Sequence, residues 1–290
     1  MWLEDRKWLQ QDWRRVFSDV SIFAKETSTD FISTDAIPAR HWVLANEAIS
    51  KFASSRMLTE FATVSGKGMI TFENVVGGLC RGWLNDSHVA FCLETIAASA
   101  GNCYVLSSLM WVCGWPSLPN TSLRETKFIV HPVNIASNHW GVIMIRLSLT
   151  GNEKKILRVH VYMYEALISD DYRKEMENVR EGQPKNDNGK NLGGKEGLRG
   201  FVERCHKASA SNVTLCIDPV EWLEPPQQPD ATSCGVLVVA QVHNYLTGNE
   251  DRQTYNISKK DVKVMRLRML WIILHYSKEI PISDSEKVEN

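Results

Sequence analysis

No stretch of this sequence is apolar enough to span a membrane. The longest uninterrupted apolar run, Met269–Leu274, has six residues, against the ~20 that a spanning helix needs. An excess of either charge is also missing. Lys+Arg 33 against Asp+Glu 34 leave a net charge of -1, without the basic footprint that duplex binding leaves on a protein. Neither a membrane nor nucleic acid is therefore expected as a partner. The seven cysteines include no C-x-x-C pair, so the thiolate frame of a structural zinc site is lacking and no metal or other cofactor is expected. Their odd number fits a reducing compartment, nucleus or cytoplasm, better than a disulfide scaffold. The N-terminus, MWLEDRKWLQQDWRR, lacks the charged-then-apolar layout of a secretion signal, so secretion is not expected. No internal repeat is present. A composition of 43% hydrophobic and 23% charged residues excludes global disorder and a coiled-coil rod, and 290 residues allow one large domain or two.

What is present alternates in period along the chain. Leu9, Trp13, Val16, Phe17 and Val20 recur at helical steps, and residues 1–65 read as a helical extension. Gly66 and Gly68 break the pattern, and the main domain is placed at 66–290. Met69–Phe72 reads as a strand. Leu84–Ala98 reads as a helix capped by Asn85 or Asp86. Strands follow at Lys127–Pro132, Trp140–Leu147 and Arg158–Tyr164, the last two joined by a polar hairpin with Gly151 at its turn. Asp170–Arg180 reads as a helix. A Gly-, Asn- and Lys-dense stretch near 182–196 reads as a mobile insertion. Leu198–Ala208 is a helix, Val213–Ile217 a strand, Cys234–Leu246 a buried helix and Val262–Tyr276 a last helix. The fold class is α+β, a short central mixed sheet packed between helices.

Three stretches carry chemistry. SNHWGVIMI sets His139 at the entrance to a strand. VYMYEAL sets Glu165 at the end of the next. PPQQPDATSCGVLVV sets Gln228 six residues before Cys234, itself at the head of a helix. A thiolate is the working nucleophile, and a helix N-terminus favours it through its partial positive charge. A histidine takes the thiol proton. A carboxylate on the other ring nitrogen fixes the tautomer. A glutamine amide donates to a developing oxyanion. Asp170 and Asp171 are rival acids, placed on the following helix. Cys205-His206 also pairs a thiol with a base, but helix neighbours face different ways. His131 and His160 fall inside strands and read as structural.

These residues resemble the SUMO-protease family, the ubiquitin-like-protein proteases. P-Q-Q-P, four residues, then C-G is similar to that family's nucleophile motif. N-H-W resembles its histidine motif, and W-L-N-D at Trp83–Asp86 its N-terminal motif, in the family's order. The resemblance covers about Ile70 to Tyr276. It implies a papain-like cysteine protease fold and cleavage after the Gly-Gly C-terminus of a ubiquitin-like modifier, by a monomer. It assigns catalysis to His139, Glu165, Gln228 and Cys234. It assigns Trp83 and Trp140 to a narrow tunnel for the two glycines, and Asp86 to modifier contacts. The sequence departs from the family at Glu165, where aspartate is usual, and at Ser233, where aspartate is frequent. The histidine-to-acid separation, 165 − 139 = 26 residues, is also longer. Glutamate is the acid in adenovirus-type proteases and in bacterial effector acetyltransferases of the same order. Two other functions therefore stand beside the protease: an acetyltransferase with the same triad, and a modifier-binding module without turnover.

Overall fold

The computed structural model describes residues 47, 50, 51, 59–63, 66, 68–79, 82–117, 122–151, 155–183, 194–224, 226–248 and 257–281. The expected N-terminal helix and residues 184–193 of the expected insertion lie outside them. The chain forms two compact units. One holds residues to Thr95 with Pro229–Val236 and Ile257 onward. The other holds Ile96–Gln228 and Leu237–Asn256.

The second unit is built on a five-stranded mixed sheet. Its strands are β3 (Cys103–Val105), β4 (Phe128–Ile135), β5 (His139–Thr150), β6 (Ile156–Glu165) and β9 (Thr214–Leu223), in that spatial order. β4, β5 and β6 pair antiparallel, and β3 and β9 add in parallel at the two sides. Residues 139–145 of β5 are buried without interruption. That is the signature of a central strand covered on both faces, and it accounts for the unbroken VIMI. Each such side chain contributes roughly 1.5–3 kcal/mol on burial. Helix α4 (Leu198–Ser209) buries Leu198, Phe201, Val202 and Cys205, the stripe of an amphipathic helix. Helix α3 (Asp170–Glu181) buries Met176 and Val179. Helix α2 (Met110–Cys113) is a single turn after β3, and two-residue strands β7 (Gly182–Gln183) and β8 (Lys195–Glu196) pair with each other.

Two strands run past prolines at which the sequence pattern stops them. β4 continues through Pro132 because β3 pairs only with Phe128–Val130. Pro132 thus stands beside an open edge, where a missing N–H is tolerated. β9 continues past Pro219 because the ladder with β6 skips from Val159↔Ile217 to Val161↔Val220. The bulge absorbs Asp218 and Pro219, and Asp218 then meets His160 Nδ1 at 2.8 Å.

In the first unit β1 (Thr59–Ala62) pairs with β2 (Met69–Thr71) on one side and β10 (Lys278–Pro281) on the other. Helical turns over Phe72–Asn74 and Val75–Leu79 follow β2. Helix α1 (Asp86–Ala100) starts at Asn85, whose Oδ1 accepts the His88 N–H at 3.1 Å, an N-cap bond. Helix α6 (Lys259–Tyr276) opens with a capping box. The Ser258 hydroxyl accepts from Asp261 N, and the Asp261 carboxylate accepts from Ser258 N. Helix α5 spans Cys234–Leu246, the bounds that the sequence pattern indicates; its first three residues belong to this unit and the rest to the second.

Candidate active site

His139 is placed by the three-residue connection, 136–138, between β4 and β5. Asn138 N donates to Ile135 O at 3.1 Å, and both central residues of the turn this closes, Ala136 (φ 50) and Ser137 (φ 60), have positive φ. That is the hairpin geometry that suits strand twist, adopted by residues with a Cβ at about 1–2 kcal/mol each. The ladder then puts Glu165 opposite Gly141. His139 and Gly141 share a sheet face, so Glu165 is the diagonal neighbour of His139, within reach of a long side chain. His139 Nε2 meets Glu165 Oε2 at 3.1 Å, with the two residues 3% and 1% exposed.

The Glu165 carboxylate does more than hold the imidazole. Oε2 also accepts the Leu167 N–H at 2.9 Å, and Oε1 accepts the Ser169 N–H at 2.6 Å. Arg173 Nε lies 3.9 Å from Oε1. Burial pushes this carboxyl up, but the bonds from His139, Leu167 and Ser169 outweigh it and hold it below the usual carboxylate range. Glu165 is therefore an anion in this site. It also shapes the turn in which Ile168 takes φ 54. The turn ends at Ser169, where α3 begins.

Helix α3 then returns to the histidine. Met176 packs against Gly141, where an added Cβ would lie 2.5 Å from its sulfur. One turn earlier, Tyr172 stacks on His139, with centroids 4.5 Å apart and planes 10° apart. Residues i and i+4 share a helix face, and residues 139 and 141 share a strand face. The two contacts therefore form one seam. Arg173 lies over the Trp222 ring at 4.8 Å. Sequence reading missed Gly141 and Tyr172. A glycine inside an apolar strand is the signal of a close approach and stood in the histidine motif; Tyr172 had no such signal. The rival acids Asp170 and Asp171 are exposed on the first turn of α3.

Gln228 hangs from the same strand end. The Tyr164 hydroxyl donates to Pro226 O, and Gln228 N donates to Ala166 O at 3.0 Å. The residues on either side of Glu165 thus anchor the P-Q-Q-P turn. The Gln228 Oε1 atom is buried without a partner among the described residues, an arrangement that calls for an explanation beyond folding. Cys234 opens α5 and is 2% exposed. If the Gln228 amide stabilises an oxyanion, Gln228→Ala lowers kcat about 100-fold or more with little change in KM, read by steady-state kinetics. A rise in KM alone assigns Gln228 to substrate binding instead.

The remaining candidates fall as follows. Trp83 is 49% exposed, Asp86 is exposed at the start of α1, and Trp140 is buried in β5. Cys205 sits in the core of the second unit, where burial pushes its thiol up to about 11. His206 bonds Val213 O at 2.8 Å. His131 is fully buried, and burial lowers it to about 3, so it is neutral. Among the described residues no group of three or more His, Cys, Asp or Glu side chains is placed to hold a metal ion.

No protein-family model matches the sequence, and no curated protein matches it. Solved structures do match in fold. The SUMO protease Ulp1 with its catalytic cysteine oxidised to a sulfenic acid aligns at TM-score 0.53 and 17% identity, over 79% of this chain and 93% of that one. The C-terminal Ulp1 protease domain in complex with Smt3, the yeast ortholog of SUMO, aligns at 0.51 and 19%, over the same shares. The Ulp1-like SUMO protease catalytic domain of Chaetomium thermophilum aligns at 0.51 and 14%, over 81% and 89%. The chain therefore has the α+β fold of the Ulp1-type SUMO protease domain.

Proposed function

We propose that this chain is a cysteine peptidase that cleaves after the Gly-Gly C-terminus of a ubiquitin-like modifier, SUMO or similar, maturing it or releasing it from a target lysine in the nucleus or cytoplasm. The observation that carries this reading is the buried His139–Glu165 pair, with an ionised carboxylate on Nε2, in a chain with the Ulp1 fold. With Nε2 engaged by Glu165, Nδ1 is the nitrogen assigned to the thiol.

In this mechanism the Cys234 thiol gives its proton to His139 Nδ1, and the sulfur attacks the carbonyl carbon of the terminal glycine. The Gln228 amide and a backbone N–H at the head of α5 donate to the oxyanion. The imidazolium, stabilised by Glu165, passes its proton to the leaving amine as the C–N bond breaks. A thioester remains. Water, deprotonated by His139, attacks it, and the Cys234 thiol is restored as the modifier acid leaves.

The test uses modifiers carrying a C-terminal electrophile, SUMO and ubiquitin separately, with mass spectrometry of the adduct. An adduct on Cys234 with either is the expected result; none with both removes the protease reading. A second measurement concerns Trp83 and Trp140, which the resemblance assigns to a tunnel too narrow for a Cβ. A modifier ending in Ala-Ala is expected to be cleaved at least ~100-fold more slowly than one ending in Gly-Gly, a loss on the scale that small misplacement causes. Equal rates remove the tunnel assignment.

A further inference from the structure

Arg266 is a buried cation that the mechanism above does not use. It lies on α6 and is 3% exposed. Taking a guanidinium out of water is heavily unfavourable unless its donors are well placed, and here they reach two separate stretches of backbone. Nη1 donates to Leu79 O at 2.9 Å and to Gly78 O at 3.3 Å. Nη2 donates to Thr232 O at 3.0 Å and to the Thr232 hydroxyl at 3.4 Å.

Both stretches lead directly to residues of the proposed site. Thr232 stands two residues before Cys234. Its N–H and hydroxyl are also held by Asp230 Oδ1, at 2.8 and 3.3 Å. Gly78 O also accepts the Gly82 N–H at 3.1 Å, and Gly82 precedes Trp83. Gly78 is further pressed against His88, where a Cβ would lie 2.9 Å from Cε1. The His88 N–H is the one that Asn85 caps. One planar fork with fixed donor directions thus ties the turn before the nucleophile to the turn before W-L-N-D.

We propose that Arg266 is a positioning residue that sets the Cys234 turn and the Trp83–Asp86 turn together. Its catalytic consequence rests on the function proposed above, but its effect on Cys234 itself does not. A lysine retains the charge but not the fork, so it cannot hold both turns.

The experiment measures three quantities on the full chain. They are the melting temperature, the alkylation rate of Cys234 by iodoacetamide, and kcat and KM per titrated site on a Gly-Gly modifier fusion. Arg266→Met and Arg266→Lys are expected to slow Cys234 alkylation about fivefold, the worth of a helix-terminus interaction with a thiolate. They lower kcat about 100-fold, as misplacement of a reacting group does, and raise KM through the W-L-N-D turn. Thr232→Val removes the 3.4 Å hydroxyl contact and keeps the 3.0 Å carbonyl one, so it slows alkylation less than the arginine variants do and leaves KM unchanged. A lowered melting temperature with wild-type alkylation and kcat per site overturns the proposal, because that pattern is stability alone. If neither arginine variant folds, the same quantities are read in Arg266→Gln, whose single amide can hold one turn but not both, and wild-type alkylation with wild-type KM there overturns it. If the wild-type protein cleaves no modifier, the protease reading fails, while the alkylation rates still decide the role of Arg266.

Discussion

Cys234→Ala is expected to abolish cleavage, with a loss of roughly 10⁶-fold in kcat, the scale seen when a nucleophile is removed from a unit that works together. The fold is expected to survive. Cys234 is buried at the first position of α5, with Val236 and Leu237 buried behind it, and alanine is a good helix former that deletes one sulfur atom. Modifier binding is also retained, because the loss falls on bond making. The variant should capture conjugates rather than release them. Turnover and binding are measured on the same purified protein. Full residual activity ends every enzymatic reading of this chain.

The second large effect concerns Glu165. Glu165→Gln keeps the length and removes the charge, and kcat is expected to fall by about 10⁴-fold, as when the acid of a triad is made an amide. Glu165→Asp keeps the charge but draws the carboxylate back by about 1.5 Å. Three bonds then weaken together: to His139 Nε2, Leu167 N and Ser169 N. The aspartate variant is therefore impaired rather than improved, although aspartate is usual in the family that the motifs resemble. The same carboxylate links stability to pH. Its folded value lies below the ordinary 4.5. Its contribution is therefore fully present above 4.5 and is lost as pH falls through the lower, folded value. In Glu165→Gln that part of the acid unfolding curve disappears. A fully active Glu165→Gln beside an inactive Asp170→Asn/Asp171→Asn double variant would falsify the assignment.

The candidate site was legible in the sequence because it rests on residue types at short spacings. Gln228 to Cys234 and the His139 strand entrance survive as sequence patterns whatever the tertiary detail. Helix α5 was legible because its stretch is longer than an ordinary strand and its VLVVA leaves no polar face, as in a buried helix. Strands β4 and β9 were cut short at Pro132 and Pro219, since an open edge and a bulge are tertiary facts that no window of sequence contains. Strands β1, β3 and β10, of three or four residues each, are too short to show a period at all. Tyr172 and Arg266 act through contacts with residues distant in the chain. Nothing in their neighbours distinguishes a tyrosine over an imidazole from one against solvent, or a clamped arginine from a solvated one.

The β5–β6 ladder runs unbroken from Gly141↔Glu165 to Thr150↔Ile156, with the tip between residues 150 and 156. His139 and Glu165 therefore meet at the base of a hairpin whose length can change at its far end. Residues added at the tip, or one to each arm, leave the pair where it is. The 26-residue separation can thus change without moving the pair. A single deletion within either arm has the opposite effect, turning Glu165 to the other face of the sheet. In a collection of length variants, tolerated changes should gather at the hairpin tip and in balanced pairs along its arms, while unpaired single deletions within the arms should be silent of activity.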